Sequence, residues 1–149
     1  QHIDNHTRID HRAPETKSIE TFRGIIGDRG RGVFNGKVVV HPDAQKVDAQ
    51  QKNDNLLLSE KAEIDTKPEL EIYADEVKCS HGATVGDLDA EQLFYMKSRG
   101  IKESAARGIL IFAFANEILK LIVLPKLRER AILGVSDHLP SHDRLGVEP

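Results

Sequence analysis

The hydrophobic period of the chain changes once, near residue 86. Before that point apolar residues come in short runs: Gly32-Val33-Phe34, Val38-Val39-Val40, Leu56-Leu57-Leu58, Leu70-Glu71-Ile72-Tyr73 and Val77-Lys78-Cys79. Asn35-Gly36, His41-Pro42-Asp43, Asn53-Asp54-Asn55 and Thr66-Lys67-Pro68-Glu69 separate them. Proline lacks a ladder donor, and Gly and Asn tolerate positive φ, so these clusters predict turns between strands. The runs fall into two interleaved series. One is Val38–Val40, Leu56–Leu58 and Leu70–Tyr73; the other is Val47–Ala49, Ala62–Ile64 and Val77–Cys79. Interleaving of this kind fits the stacked rungs of a β-solenoid, each burying its apolar side chains on the next. An antiparallel sandwich also has short, turn-rich strands, and periodicity alone favours it as the commoner solution.

From residue 87 the pattern is helical. Asp89 suits an N-cap, Gln92 stands three positions on for a capping box, and Leu88 with Leu93 fits a hydrophobic staple. Lys97 and Arg99 complement a helix C-terminus, and Gly100 stands where a left-handed residue is wanted, so a helix is predicted over residues 90–99. A second helix is predicted over residues 103–123, with Ile109, Phe112, Ala113, Leu119 and Ile122 as its apolar stripe. Ile111, Phe114, Ile118 and Leu121 widen that stripe around most of the circumference, which calls for more than one partner surface. Pro125 interrupts the pattern, and a third helix is predicted over residues 126–133, ending near Gly134. The expected organisation is a β region over residues 1–86, a helical region over 87–138 and a mobile tail over 139–149.

Composition narrows the function classes. The chain has 149 residues, 39% hydrophobic and 30% charged, with a net charge of −3 and 5% aromatics without Trp. Such a chain has neither the basic field nor the stacking platforms of a nucleic-acid binder, and no attraction to an anionic membrane surface. The greasiest stretch, residues 109–124, contains Asn116, Glu117 and Lys120, so it reads as a buried helix rather than a membrane span. No apolar N-terminal run resembles a signal peptide. The single cysteine, Cys79, excludes an internal disulfide and fits a reducing compartment. The first residue is Gln1 and the only methionine is Met96, so an N-terminal portion is expected to precede this sequence.

Cys79 and His81 are the candidate site. On a strand, residues two apart share a face, where a thiolate and an imidazole could supply two metal ligands or half of a Cys–His pair. A metal needs more ligands than these, and a structural cysteine beside a loop histidine is the commoner meaning of the spacing. His2, His6 and His11, with Asp4 and Asp10 between them, have no recognised metal spacing and are expected to be solvent-exposed strand side chains. The stretch Gly27-Asp28-Arg29-Gly30-Arg31-Gly32 lacks the Gly-Lys-Ser/Thr ending and the following helix of a phosphate loop, so turns explain it better. Asp43, Asp48 and Asp54 would be the carboxylates of a solenoid carbohydrate-active enzyme, but they sit in or beside predicted turns with no alignment. Nucleophile-elbow and zincin motifs are absent.

Specific residues carry a resemblance to a known family. Residues 31–37 (Arg-Gly-Val-Phe-Asn-Gly-Lys), 55–59 (Asn-Leu-Leu-Leu-Ser), 66–72 (Thr-Lys-Pro-Glu-Leu-Glu-Ile) and above all Asp75-Glu76-Val77-Lys78-Cys79-Ser80-His81-Gly82-Ala83-Thr84-Val85-Gly86 resemble the SufB/SufD family of the SUF iron–sulfur assembly system. Gln92-Leu93-Phe94-Tyr95 and Ser98-Arg99-Gly100-Ile101 continue the match into the first helix, and it extends to about residue 133. The resemblance implies a mainly β protein with an α appendage. Its core would be the C-terminal part of a right-handed parallel β-helix, followed by a helical domain of about three helices. It implies a non-catalytic scaffold in the bacterial cytoplasm that pairs with a SufB-like paralogue and docks a SufC-like ATPase. A homodimer is a further option when the chain is alone. Cys79 and His81 fall on family positions at the SufB–SufD junction, where a transient Fe–S cluster would be shared with SufB; none is expected on the isolated chain. SufB carries a cysteine in the strand corresponding to Gln51-Lys52-Asn53-Asp54. Its absence here favours the SufD side of the family.

Overall fold

A computed structural model describes residues 1–138. The chain divides into two units, residues 1–87 and the segment from Leu88 onward. The predicted tail over residues 139–149 lies outside the described residues.

The first unit is built from six strands: β1 (His2–His11), β2 (Lys17–Ile26), β3 (Arg31–Val40), β4 (Val47–Leu57), β5 (Glu63–Ile72) and β6 (Val77–Gly86). They form two parallel three-stranded sheets, β1-β3-β5 and β2-β4-β6, so the chain alternates between the sheets at every turn. Each strand therefore pairs with the strand two places on: His2 with Arg31, Lys17 with Asp48, Arg31 with Glu63 and Val47 with Val77. This is a correction to the reading of short strands. The apolar runs are the two ends of strands ten or eleven residues long. Val38–Val40 and Leu70–Ile72 do pair, as do Val47–Ala49 and Val77–Cys79. Leu56 and Ile64, however, belong to the opposite sheet from the series in which they were placed. Strand β1, with three His, two Asp and one Arg, has no apolar run to announce it, and β2 shows only Ile25-Ile26 at its end.

Three of the four expected turns lie inside strands, each for a physical reason. Pro68 is tolerated because β5 is an edge strand, where a missing N–H breaks no ladder on its open side. Gly36 sits where the opposite sheet approaches: a Cβ there would collide with Gln51 Nε2 and would stand 2.7 and 2.9 Å from Phe34 Cζ and Cε1. Asn53 and Asn55 face inward and pair reciprocally, Asn55 Nδ2 donating to Asn53 Oδ1 at 2.7 Å and Asn53 Nδ2 to Asn55 Oδ1 at 3.3 Å. The turn at His41-Pro42-Asp43 is real, and Gly30 N donates to Gly27 O at 2.9 Å in the turn between β2 and β3.

The sheets face each other across a core that changes character along the strands. At one end Val38, Val40, Ala44, Val47, Ala49 and Ala74 form an apolar cluster, with Ile9, Leu70, Val77 and Cys79 packed on it. Toward the other end Phe22 stacks on Phe34 with ring centroids 4.6 Å apart. Thr66 there donates across to Asn53 Oδ1. Burial of Asn53 (0% exposed) is tolerable because Asn55, Thr66 and the Phe22 carbonyl satisfy it.

In the second unit, α1 (Ala90–Ser98) is capped by Asp89, whose Oδ1 accepts from Glu91 N at 2.8 Å and Gln92 N at 3.1 Å. It ends in a Schellman arrangement: Gly100 at φ +84° donates to Lys97 O, and Ile101 N donates to Met96 O. Helix α2 spans Glu103–Leu119 and stops four residues earlier than predicted, with Leu121 N bonding back to Ile118 O. Its buried face is Ala106, Gly108, Ile111, Ala115 and Leu119. Leu119 belongs to the predicted stripe and Ile111 to its widened margin, while the small residues Ala106, Gly108 and Ala115 make up the rest of the face. Helix α3 spans Pro125–Ser136, with Pro125 in its first turn, and runs through Gly134 rather than ending there. No helix among the described residues is long and apolar enough to cross a membrane.

Candidate functional site

Strand β6 is an edge of the β2-β4-β6 sheet. Its register continues the inward columns of β4: Cys79 pairs with Ala49, His81 with Gln51, Ala83 with Asn53 and Val85 with Asn55. The β4 members of these four pairs are buried. On β6 the same columns are progressively uncovered, from the partly buried Val77 and Cys79 to the exposed His81, Ala83 and Val85. Side chains with the pattern of a core thus stand at an open boundary, on a strand whose outer N–H and C=O groups have no ladder partner among the described residues.

Cys79 packs against the apolar cluster at the inner end of this column. Burial there pushes its thiol up from the ordinary value, the Asp48 carboxylate adds to the rise, and the Ala49 backbone opposes it. At neutral pH Cys79 is therefore a thiol, not an activated thiolate. His81 follows on the same face, in the next inward position, and is exposed. Cα atoms two apart on a strand are separated by roughly 6.6 Å, so sulfur and imidazole nitrogen could lean onto one ion. Among the described residues no group of three or more His, Cys, Asp and Glu side chains is arranged to hold a metal. Two ligands from this chain would leave a cluster or metal incomplete.

The N-terminal histidines do not converge. His6 pairs with Asp4 at 2.9 Å on the outer surface, and His2 is exposed, as expected. His11 departs from that expectation: it is 5% exposed, its Nδ1 lies 2.7 Å from Thr16 Oγ1 and its Nε2 lies 2.9 Å from Ser18 Oγ. Thr16 gives its own proton to Ala13 O, so it accepts from His11 Nδ1–H and the ring clamps the β1–β2 corner. Nor do the three candidate carboxylates align. Asp43 lies in the turn after β3. Asp48 is held below its ordinary pKa by hydrogen bonds from Lys17 and Gln50. For Asp54 burial opposes ionisation, yet Lys52, Thr84 and Arg23 together outweigh it and its pKa is also lowered. Neither of these two has the raised pKa that a general acid needs.

Two residues of this region escape a search for reactive side chains. Glu20 and Gln51 occupy one column with His81, and Gln51 Nε2 donates to Glu20 Oε2 at 2.7 Å. Their signal is the two-residue alternation of Gln51, Asn53 and Asn55, which places polar groups at positions a strand reserves for its core.

The family described as "SUF system FeS cluster assembly, SufBD core domain" matches residues 1–114. The chain belongs to this family of the SUF iron–sulfur cluster assembly system. It is 44% identical over 141 residues to the iron–sulfur cluster assembly protein SufD of Escherichia coli K12, covering 95% of this chain and 33% of that protein. A SufBD family protein of Synechocystis is 48% identical over 127 residues, 85% of this chain and 28% of the relative. The chloroplastic protein ABCI7 of Arabidopsis thaliana is 39% identical over 132 residues, 88% and 28% respectively. The chain thus spans a third or less of the length of these three curated relatives.

Proposed function

We propose that this chain is the cluster-junction part of a non-catalytic SUF scaffold subunit, which pairs with a SufB-like paralogue and docks a SufC-like ATPase. The two parallel sheets are read as successive turns of a right-handed parallel β-helix. The nascent Fe–S cluster is cargo, shared with the paralogue, and the setting is the bacterial cytoplasm. One observation carries this reading: the open edge of β6 presents an inward-type column with Cys79 and His81 and, among the described residues, no third ligand. Edge strands with unpaired backbone groups accept a second chain, and a partner there would both pair the strand and complete the ligand set. When the paralogue is absent, the same edge would serve a homodimer. The exposed Leu121, Val123, Leu124 and Leu127 around the start of α3 suit docking of the ATPase.

Anaerobic co-expression with SufB and SufC, followed by iron and sulfide analysis, tests the junction. Cys79→Ala and His81→Ala should each lower cluster content while the complex still assembles. Normal content with both replaced would remove these residues from the mechanism. Truncation after Gly86 should abolish co-purification of the ATPase, and retained binding would show that the helices do not dock it.

A second reading, an interaction module without a metal role, is favoured by the raised Cys79 pKa, since a buried protonated thiol is a packing group before it is a ligand. Unchanged cluster content in the double variant is the outcome it requires.

A further inference from the structure

The layers of the first unit's interior can be read from register. Thr7, Gly36 and Pro68 form one column of the β1-β3-β5 sheet, and Gly36 faces Gln51 closely. The facing column on the β2-β4-β6 sheet is Glu20, Gln51 and His81, on adjacent strands about 4.8 Å apart. Gln51 is 2% exposed. Its amide is oriented by Glu20, because only Nε2 can donate to a carboxylate. That fixes where Oε1 lies, and Oε1 is buried without a hydrogen-bond donor among the described residues. An unmet buried acceptor of this kind is costly, so a donor within reach will be drawn to it. The next member of the column, one strand on, is His81, whose ring carries an N–H and is covered by no strand among the described residues that would restrain its rotation.

We propose that Gln51 is a positioning residue for His81: its Nε2 is tied to Glu20 while its Oε1 accepts the N–H of the His81 ring. A three-member relay, Glu20–Gln51–His81, then runs across β2, β4 and β6. It selects one imidazole tautomer and turns the other nitrogen's lone pair out of the open edge. Histidines that bind metals commonly have their second N–H held in this way, which orients the ring and raises its basicity. The inference rests on the reading of His81 as a ligand at the junction and names the residues that prepare it. Thr7 Oγ1, in the facing column, is also buried without a partner and is the competing donor for Gln51 Oε1.

The test is made on the full chain, 15N-labelled, without metal or partner. In the wild type, NMR of the His81 ring should show one tautomer preferred and cross-relaxation between its ring N–H and the Gln51 side chain. A hydrogen bond of ordinary net strength corresponds to a preference of about two- to tenfold. Gln51→Leu should abolish that preference, and Glu20→Gln should weaken it by letting the Gln51 amide turn over. The His11 ring, held between Thr16 and Ser18, should be unchanged and reports that the fold persists. A tautomer ratio for His81 that is the same in the wild type and Gln51→Leu would overturn the proposal and assign Oε1 to Thr7 or water. If Gln51→Leu does not fold, absence of contact between the His81 ring and Gln51 in the wild type overturns it equally. Failure here leaves the ligand role of His81 standing. Unchanged cluster content in His81→Ala would remove that role and leave the relay standing.

Discussion

Gly36→Ala tests whether the two sheets approach closely at the layer that holds Gln51. The added methyl would strike Gln51 Nε2 and lie 2.7 and 2.9 Å from two ring carbons of Phe34. The Phe34 ring is 0% exposed and is stacked on Phe22, so it cannot step aside without disturbing a second ring. Gln51 could move only by loosening its bond to Glu20. Overpacking of a close-packed interior costs about 1–3 kcal/mol. Each kcal/mol lowers the melting temperature of a unit of this size by about 4–8 °C. Gly82→Ala is the matched control: it is also a strand glycine, but nothing lies within 4 Å of its added Cβ. Thermal and urea unfolding of the two variants should place Gly82→Ala within about 0.5 kcal/mol of wild type and Gly36→Ala at least 1 kcal/mol below it. Equal stability of the two would mean that the sheets do not approach at Gly36, and the layer assignment behind the Gln51 proposal would fall with it.

Three further outcomes follow from the same interior. Asn53→Ala removes a partner of Asn55 and Thr66 at a fully buried position, and urea unfolding should show a loss of about 2 kcal/mol; a change below 0.5 would refute the polar pairing. Cys79, its thiol pKa pushed up by burial, should alkylate with iodoacetamide at a rate still climbing at alkaline pH, and a plateau reached near neutral pH would contradict burial as the dominant influence. Asp54 is ionised more readily in the folded state than in the unfolded chain, so its contribution is present above pH 3.8 and is lost as pH falls through its lower folded value. Asp54→Asn should therefore be less stable than wild type at neutral pH and converge on it in acid, as unfolding curves at pH 2.5 and 7 would show.

Local signals were sufficient wherever a residue acts within its own turn. Asp89 and Gly100 bracket α1 as read, because capping and left-handed termination involve atoms only two to four residues apart. The Lys78-Cys79-Ser80-His81 block was legible enough to mark the family, which the comparisons then showed. Strand extent was not legible. Asn35-Gly36, Asn53-Asp54-Asn55 and Pro68 carry turn chemistry locally and became strand interior only because another sheet, a polar ladder and an open edge accommodate them.

The same division holds at the site. Sequence by itself determined that Cys79 and His81 share a face, since alternation along a strand is a property of the backbone. It also determined that the chain holds no second cysteine to complete a ligand set. Tertiary structure decided that this face continues the buried columns of β4, that Glu20 and Gln51 stand in line with His81, and that His11 is locked inside rather than exposed. The first two facts depend on register between strands some 31 residues apart, as in the Gln51–Glu20 bond, whereas His11 is held across the β1–β2 corner by partners five and seven residues on. No local pattern encodes that register; it is set by which inward side chains can pack and pair across the sheets.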